Sequence, residues 1–172
     1  AKGFCVSRSC NYAKTFGYII LVANSDVAKE CIKHYVAKGF CVIAASRNTK
    51  MLNYFVEKYQ IQDKVQVLFF DANDFKTHQN FYRNLSLKPH IVIYAAGFLV
   101  QNGKAFVDFE SVFEMMKTNY AGAVSILNII AMDKTNENLE RIIGLSSLSG
   151  VRGRKSNFIY GSTKSAFTQY LA

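Results

Sequence analysis

Residues 141–164 read RIIGLSSLSGVRGRKSNFIYGSTK, and this stretch decides the fold. An apolar run, Arg141-Ile142-Ile143-Gly144-Leu145, has the composition of a buried parallel strand. Ser147 follows it, and the ligands of open α/β sheets bind beyond the carboxyl ends of such strands. Tyr160 and Lys164 are four residues apart, so on a helix of 3.6 residues per turn they share one face. An ammonium near a phenol favours the phenolate, so this pairing is expected to lower the Tyr160 pKa and make it a usable general acid or base.

Outward from this stretch, apolar runs and helical periods alternate. Segments 18–23, 40–45, 65–70, 90–96 and 141–146 are short and rich in Val, Ile and aromatic residues, as strands are. Segments 26–38, 48–59, 74–85 and 109–132 carry apolar residues at helical spacing, with Asp26, Asn48, Asp74 and Asp108 at helix starts, and a sixth helix begins near Asn157. The alternation predicts an α/β fold, a doubly wound parallel sheet. The 172 residues suit one domain: an N-terminal extension over 1–16, then a dinucleotide-binding unit over 17–172. The last helix has no C-cap signal before Ala172, so the unit is expected to be truncated at its C-terminus.

Composition narrows the function classes. The longest nearly apolar stretch, 123–132, is too short to span a bilayer. Cys5, Cys10, Cys31 and Cys41 lack the paired spacing of a zinc site, so no metal is expected. Cys31 and Cys41, at core-like positions, read as reduced thiols, which suits a cytoplasmic setting. His34, His78 and His90 read as surface or packing residues. The formal charge of +9 is dispersed, apart from Arg152, Arg154 and Lys155 beside Ser147, where an anionic substrate or headgroup fits better than nucleic acid.

The Ser147, Tyr160 and Lys164 constellation resembles the short-chain dehydrogenase/reductase family. That resemblance implies an NAD(P)-binding Rossmann fold and hydride transfer between a nicotinamide and a carbonyl or alcohol. Asn119, Ser147, Tyr160 and Lys164 would form the catalytic tetrad, with Asn119 holding a water that links Lys164 to solvent. It also places the family's glycine-rich pattern, Thr-Gly-x-x-x-Gly-x-Gly, on residues 21–28, where Val22, Asp26 and Ala28 replace all three glycines. Asn24, Ser25 and the amide of Val27 would then contact phosphate. Asp71 and Ala72 correspond to the adenine-contacting segment. Ala96 and Gly97 are the surviving half of an Asn-Asn-Ala-Gly motif, with Tyr94 and Ala95 in place of its asparagines. Arg47 stands where an NAD-preferring fold carries an acid, which favours NADP(H) over NAD(H).

Two shorter stretches, 119–125 and 157–164, resemble the decaprenylphosphoryl-keto-pentose (erythro-pentofuranosid-2-ulose) 2-reductase group. That implies a lipid-phosphate-linked keto sugar as substrate and peripheral membrane contact. Relatives of this family often pair, so a homo-oligomer is expected of the complete protein. The alternative is a noncatalytic fragment or interaction module that keeps the fold, since fold alone does not fix function.

Overall fold

A computed structural model describes residues 17–172, so the expected extension over 1–16, with Cys5 and Cys10, lies outside the described residues. Five strands form one parallel sheet: β1 (Gly17–Leu21), β2 (Cys41–Ser46), β3 (Val65–Phe69), β4 (Ile91–Tyr94) and β5 (Arg141–Gly144), in the order β3-β2-β1-β4-β5. The reversal of direction between β1 and β4 is the topological switch point at which ligands of such sheets bind.

The helices fall where the apolar periodicity puts them. They are α1 (Asp26–Ala37), α2 (Thr49–Lys58), α3 (Phe75–Arg83), α5 (Phe109–Met116), α6 (Gly122–Ala131) and α8 (Phe158–Leu171). Ser25, Asn48 and Asp108 cap α1, α2 and α5 by accepting from the amides of Ala28, Met51 and Ser111. Asp74 occupies the N-cap position of α3 without a side-chain hydrogen bond.

Four features depart from the sequence expectation. Two one-turn helices, α4 (Asn102–Ala105) and α7 (Leu148–Val151), are too short to show a period. The long helix expected over 109–132 is interrupted by a π-helical turn, Lys117–Ala121, between α5 and α6. The strand expected to be buried, β5, is only half-covered, because it is an edge of the sheet among the described residues. Cys41 is buried as expected but disulfide-bonded, so its reading as a reduced thiol is corrected; Cys31 is free.

Apolar side chains cover both faces of the sheet. Ile19, Leu21, Val92 and Tyr94 pack with Ile126, Leu127, Ile130 and Phe167 on one face, while Ile20, Val42, Ala44 and Ile93 pack with Ile32, Leu52 and Phe55 on the other. The helices come close where glycine allows it. A Cβ on Gly122 would lie 2.3 Å from the Ala72 carbonyl oxygen, and one on Gly161 would lie 2.5 Å from that of Ser149. These contacts bring α6 onto the end of β3 and α8 onto α7, which positions the loops discussed below.

Val22, the first residue after β1, has φ of 60°. Sterics make that left-handed conformation an outlier for a β-branched residue, while glycine adopts it freely. The chain therefore keeps a glycine-type backbone without the glycine. The expected outcome is an inverted ranking of small substitutions: Val22→Gly should exceed Val22→Ala in stability by roughly 1 kcal/mol, since only alanine retains the steric penalty. Urea unfolding of the two variants measures the difference, and an alanine variant as stable as the glycine one would contradict it.

Candidate active site

The residues singled out in the sequence gather in two regions at the carboxyl ends of the strands. The first is a cleft of about 300 Å³ lined by Val22, Asn24, Ser46, Arg47, Asn48, Asp71, Ala72 and Thr118, among others. Asn24 donates through Nδ2 to Ser46 Oγ at 2.5 Å and to the Asn48 carbonyl at 3.1 Å. Its Oδ1 is buried without a hydrogen-bond partner among the described residues. Ser25 caps α1, and Val27 is exposed in the first turn, where backbone amides have no intrahelical acceptor.

Arg47 reaches an oxygen of Glu114 on α5 at 3.5 Å, in an exposed ion pair of the kind that contributes little to stability. Asp71 accepts from the Asn73 amide at 2.9 Å. Asn73 Oδ1 in turn accepts from Thr118 Oγ1 at 3.0 Å, so the loop after β3 is tied to the π turn.

The second region holds the catalytic candidates. Lys164 is only 1% exposed, and its Nζ donates to the carbonyls of Ala96 at 2.5 Å and Leu145 at 2.7 Å. Burial pulls its pKa down to about 8. Tyr160 lies one turn earlier on α8, with Lys164 Nζ 5.9 Å from its ring centre. Ser147 caps α7, its hydroxyl accepting from the Ser149 amide at 3.2 Å, and it acts to lower the Tyr160 pKa.

The expected lowering of the Tyr160 pKa by Lys164 is not what the structure holds. Burial pushes the phenol up, and the opposing influence is the hydrogen bond with Ser147. The Lys164 ammonium is directed at two main-chain carbonyls instead. Tyr160 is thereby kept protonated at neutral pH, the form in which a phenol donates a proton.

Asn119 is fully buried within the π turn. Its Nδ2 donates to the Phe98 carbonyl at 2.7 Å and to Thr163 Oγ1 at 3.1 Å, and its Oδ1 accepts from the Phe98 amide at 3.0 Å. Both amide hydrogens are used in joining the loop after β4 to α8. Gly97 is exposed at the start of that loop, and Ala96 is buried just before it. Tyr94, which takes the place of a family asparagine, is buried and donates to the Thr118 carbonyl at 2.7 Å.

Three supporting residues escape sequence inspection. Ser46 orients Asn24, Thr163 receives Asn119, and Thr118 links the cleft to the π turn. Each is a small hydroxyl residue whose partner lies 22 to 45 positions away in the chain. Only the placement of Ser46 at a strand end hints at a role.

The family model described as short chain dehydrogenase matches residues 18–172. The chain belongs to the short-chain dehydrogenase family. It is 24% identical over 151 residues to an uncharacterized oxidoreductase of Mycobacterium tuberculosis, covering 85% of this chain and 60% of the relative. The chain thus spans about 60% of the length of the curated relatives it matches.

Solved short-chain dehydrogenases share the fold. A variant actinorhodin polyketide ketoreductase with NADPH superimposes with a TM-score of 0.81 at 14% identity, over 91% of this chain and 62% of that one. Serine dehydrogenase from Escherichia coli gives 0.79 at 21% identity, over 90% and 73%. Among the described residues, no group of three or more His, Cys, Asp or Glu side chains could hold a metal, and no helix is long and apolar enough to cross a membrane.

The Lys164 environment in this short-chain dehydrogenase carries a pH signature. An ordinary lysine titrates near 10.5, so between about pH 8 and 10.5 the unfolded chain holds a proton that the folded chain has released. Stability contributed by this group therefore rises with pH across that window. In paired unfolding curves, the stability of the parent relative to Lys164→Met should increase from pH 8 to pH 10. A difference independent of pH would show that Lys164 is not perturbed.

Proposed function

We propose that the chain carries the nucleotide-binding and proton-donating parts of an NADP(H)-dependent short-chain oxidoreductase that interconverts a carbonyl and an alcohol. The observation that carries this reading is the convergence of Ser147, Tyr160 and Lys164 from α7 and α8 at the carboxyl end of β5. Single residues of these types are common on helices and turns; a half-buried phenol under the influence of a serine hydroxyl, with a buried ammonium one turn on, is not an ordinary packing arrangement.

The lining of the cleft supports a place for the adenosine end of a dinucleotide. Asn24 Oδ1 is a buried acceptor in want of a donor, which a ribose hydroxyl would provide. Ser25 and Val27 at the start of α1 would hold phosphate, Arg47 would face a 2′-phosphate, and Asp71 and Ala72 would wall the adenine side. Ala96 and Gly97 would adjoin the nicotinamide half, near Lys164. A bound nicotinamide supplies the hydride.

The protein's own part is proton transfer and positioning. Tyr160, protonated, donates to the carbonyl oxygen of the substrate as negative charge develops there, and Ser147 holds the same oxygen through its hydroxyl. Lys164, held on the Ala96 and Leu145 carbonyls, seats α8 so that Tyr160 stands at the strand ends. Asn119 acts through Thr163 and Phe98, fixing the loop after β4 against α8 rather than touching the reacting atoms.

The exposed residues Arg152, Arg154 and Lys155 next to Ser147 favour an anionic group on the substrate, and a lipid-phosphate-linked keto sugar meets that requirement at a membrane surface. Phe109 and Phe113, both exposed on α5, favour a homo-oligomer.

Two outcomes are expected. In calorimetry NADPH binds more tightly than NADH, and Arg47→Ala weakens NADPH selectively by tenfold or more, the equivalent of about 1.5–3 kcal/mol for a charge-assisted contact. Equal affinities for the two cofactors would refute the assignment. In the complete enzyme, Tyr160→Phe lowers turnover of a keto substrate by at least about 100-fold while NADPH affinity is maintained. Retained turnover would mean that another acid supplies the proton.

A further inference from the structure

His78 is the one fully buried histidine among the described residues, and the proton transfer above makes no use of it. It projects from α3 into the space between β3 and α6. Its Nε2 lies 2.9 Å from the Asp71 carbonyl oxygen and its Nδ1 lies 2.8 Å from Ser125 Oγ on α6. A carbonyl only accepts, so Nε2 carries the hydrogen, and Nδ1 accepts from the serine hydroxyl. The ring is neutral, as its burial requires. It stacks on Phe70, with centres 4.9 Å apart and planes at 26°, and Phe75 approaches edge-on at 5.9 Å. Both nitrogens and a ring face are therefore occupied, which fixes the side chain in position and angle.

The carbonyl it holds belongs to the segment that walls the nucleotide cleft, since Asp71 and Ala72 both line it. Phe70 closes the donor's own stack and lines the same cleft. On the far side of this segment, the Ala72 carbonyl abuts Gly122 of α6, and Asn73 is held by Thr118. Three successive residues are thus pinned from three directions. Without the His78 donor, the Asp71 carbonyl would keep only the Asp74 amide, at 3.2 Å, as its partner, and loss of the shorter bond would let the turn shift, carrying the Asp71 side chain with it.

We infer that His78 is a positioning residue for the adenine end of the nucleotide: through its Nε2–H bond to the Asp71 carbonyl it sets where Asp71 and Ala72 face the cleft. The inference rests on the nucleotide reading of that cleft. It assigns His78 no contact with the ligand.

The test uses the whole chain, with two variants that separate the hydrogen bond from the packing. His78→Phe keeps the stack on Phe70 and lacks the donor; His78→Gln keeps a donor in a similar place. The probes are 2′,5′-ADP and 5′-AMP, which carry the adenine end alone, titrated by calorimetry well below the unfolding temperature of each variant. His78→Phe is expected to bind both at least fivefold more weakly than the parent, and His78→Gln to recover to within about twofold.

Parental affinity in His78→Phe, or an equal loss in both variants, would overturn the positioning role, because packing alone would then explain the residue. If His78→Phe does not fold, His78→Leu takes its place: it also lacks the donor and is expected to weaken both probes at least fivefold. Failure of the parent chain to bind either probe would overturn the nucleotide reading instead. In that event the positioning role is decided by proton–nitrogen NMR, in which the amide signals of Ala72 and Asn73 should shift in His78→Phe and return in His78→Gln; unmoved signals would refute it.

Discussion

The region around Ser147, Tyr160 and Lys164 depends on a buried ammonium. Lys164 cannot be left in the interior without acceptors, since an unpaired charge there is costly enough to force neutralisation. Its two acceptors are the carbonyls that follow β4 and β5, so one side chain ties both strands to α8. The helix must come very near the strand ends for this to happen. Gly144, Gly150 and Gly161 make room: a Cβ on Gly144 would strike Phe167 and Leu171, and one on Gly150 would lie 2.8 Å from the Lys164 main chain. Lys164 is thus a structural cross-brace as well as a source of positive charge, and Tyr160 owes its orientation to the same seating of the helix.

At the cleft beside β1 and β2, the constraint is backbone shape rather than charge. Val22 follows β1 in a left-handed conformation and Ser25 caps α1, so the turn follows the path that a glycine-rich loop would take. The first substitution in the motif therefore changes what protrudes into the cleft without changing where the chain goes. Substitution at Asp26 and Ala28 falls inside α1, where either residue is a normal occupant, and Ala28 is buried against the sheet. A motif can lose all its glycines and keep its geometry when the strain is confined to one residue and the surrounding packing holds it.

The sheet and its helices were legible in the sequence because their signal is periodic and local. Strands within a residue or two of their observed limits followed from apolar runs, and Asn48 and Asp108 as caps followed from side-chain chemistry. The π turn was not legible, since one extra residue per turn leaves no mark in composition. Asn119 was visible as a poor mid-helix residue, yet its bonds to Phe98 and Thr163 depend on the fold bringing three segments together. The Tyr160 pKa was misjudged for the same reason. Proximity on a helix face was readable, but the carbonyls of Ala96 and Leu145 that claim the ammonium come from distant strands.

The π turn links two regions built on different helices. Within it, Thr118 and Asn119, adjacent in sequence, bond to different segments of the chain. Thr118 holds Asn73 beside the cleft and receives the Tyr94 hydroxyl from the sheet, while Asn119 holds the loop after β4 and Thr163 on α8. A regular α-helix would turn these two side chains about 100° apart around its axis but would also continue its hydrogen-bond ladder unbroken. The π turn loosens that ladder at the same place, and π-bulges recur at functional sites for this reason. One five-residue turn therefore braces the loop after β3 and the loop after β4 at once.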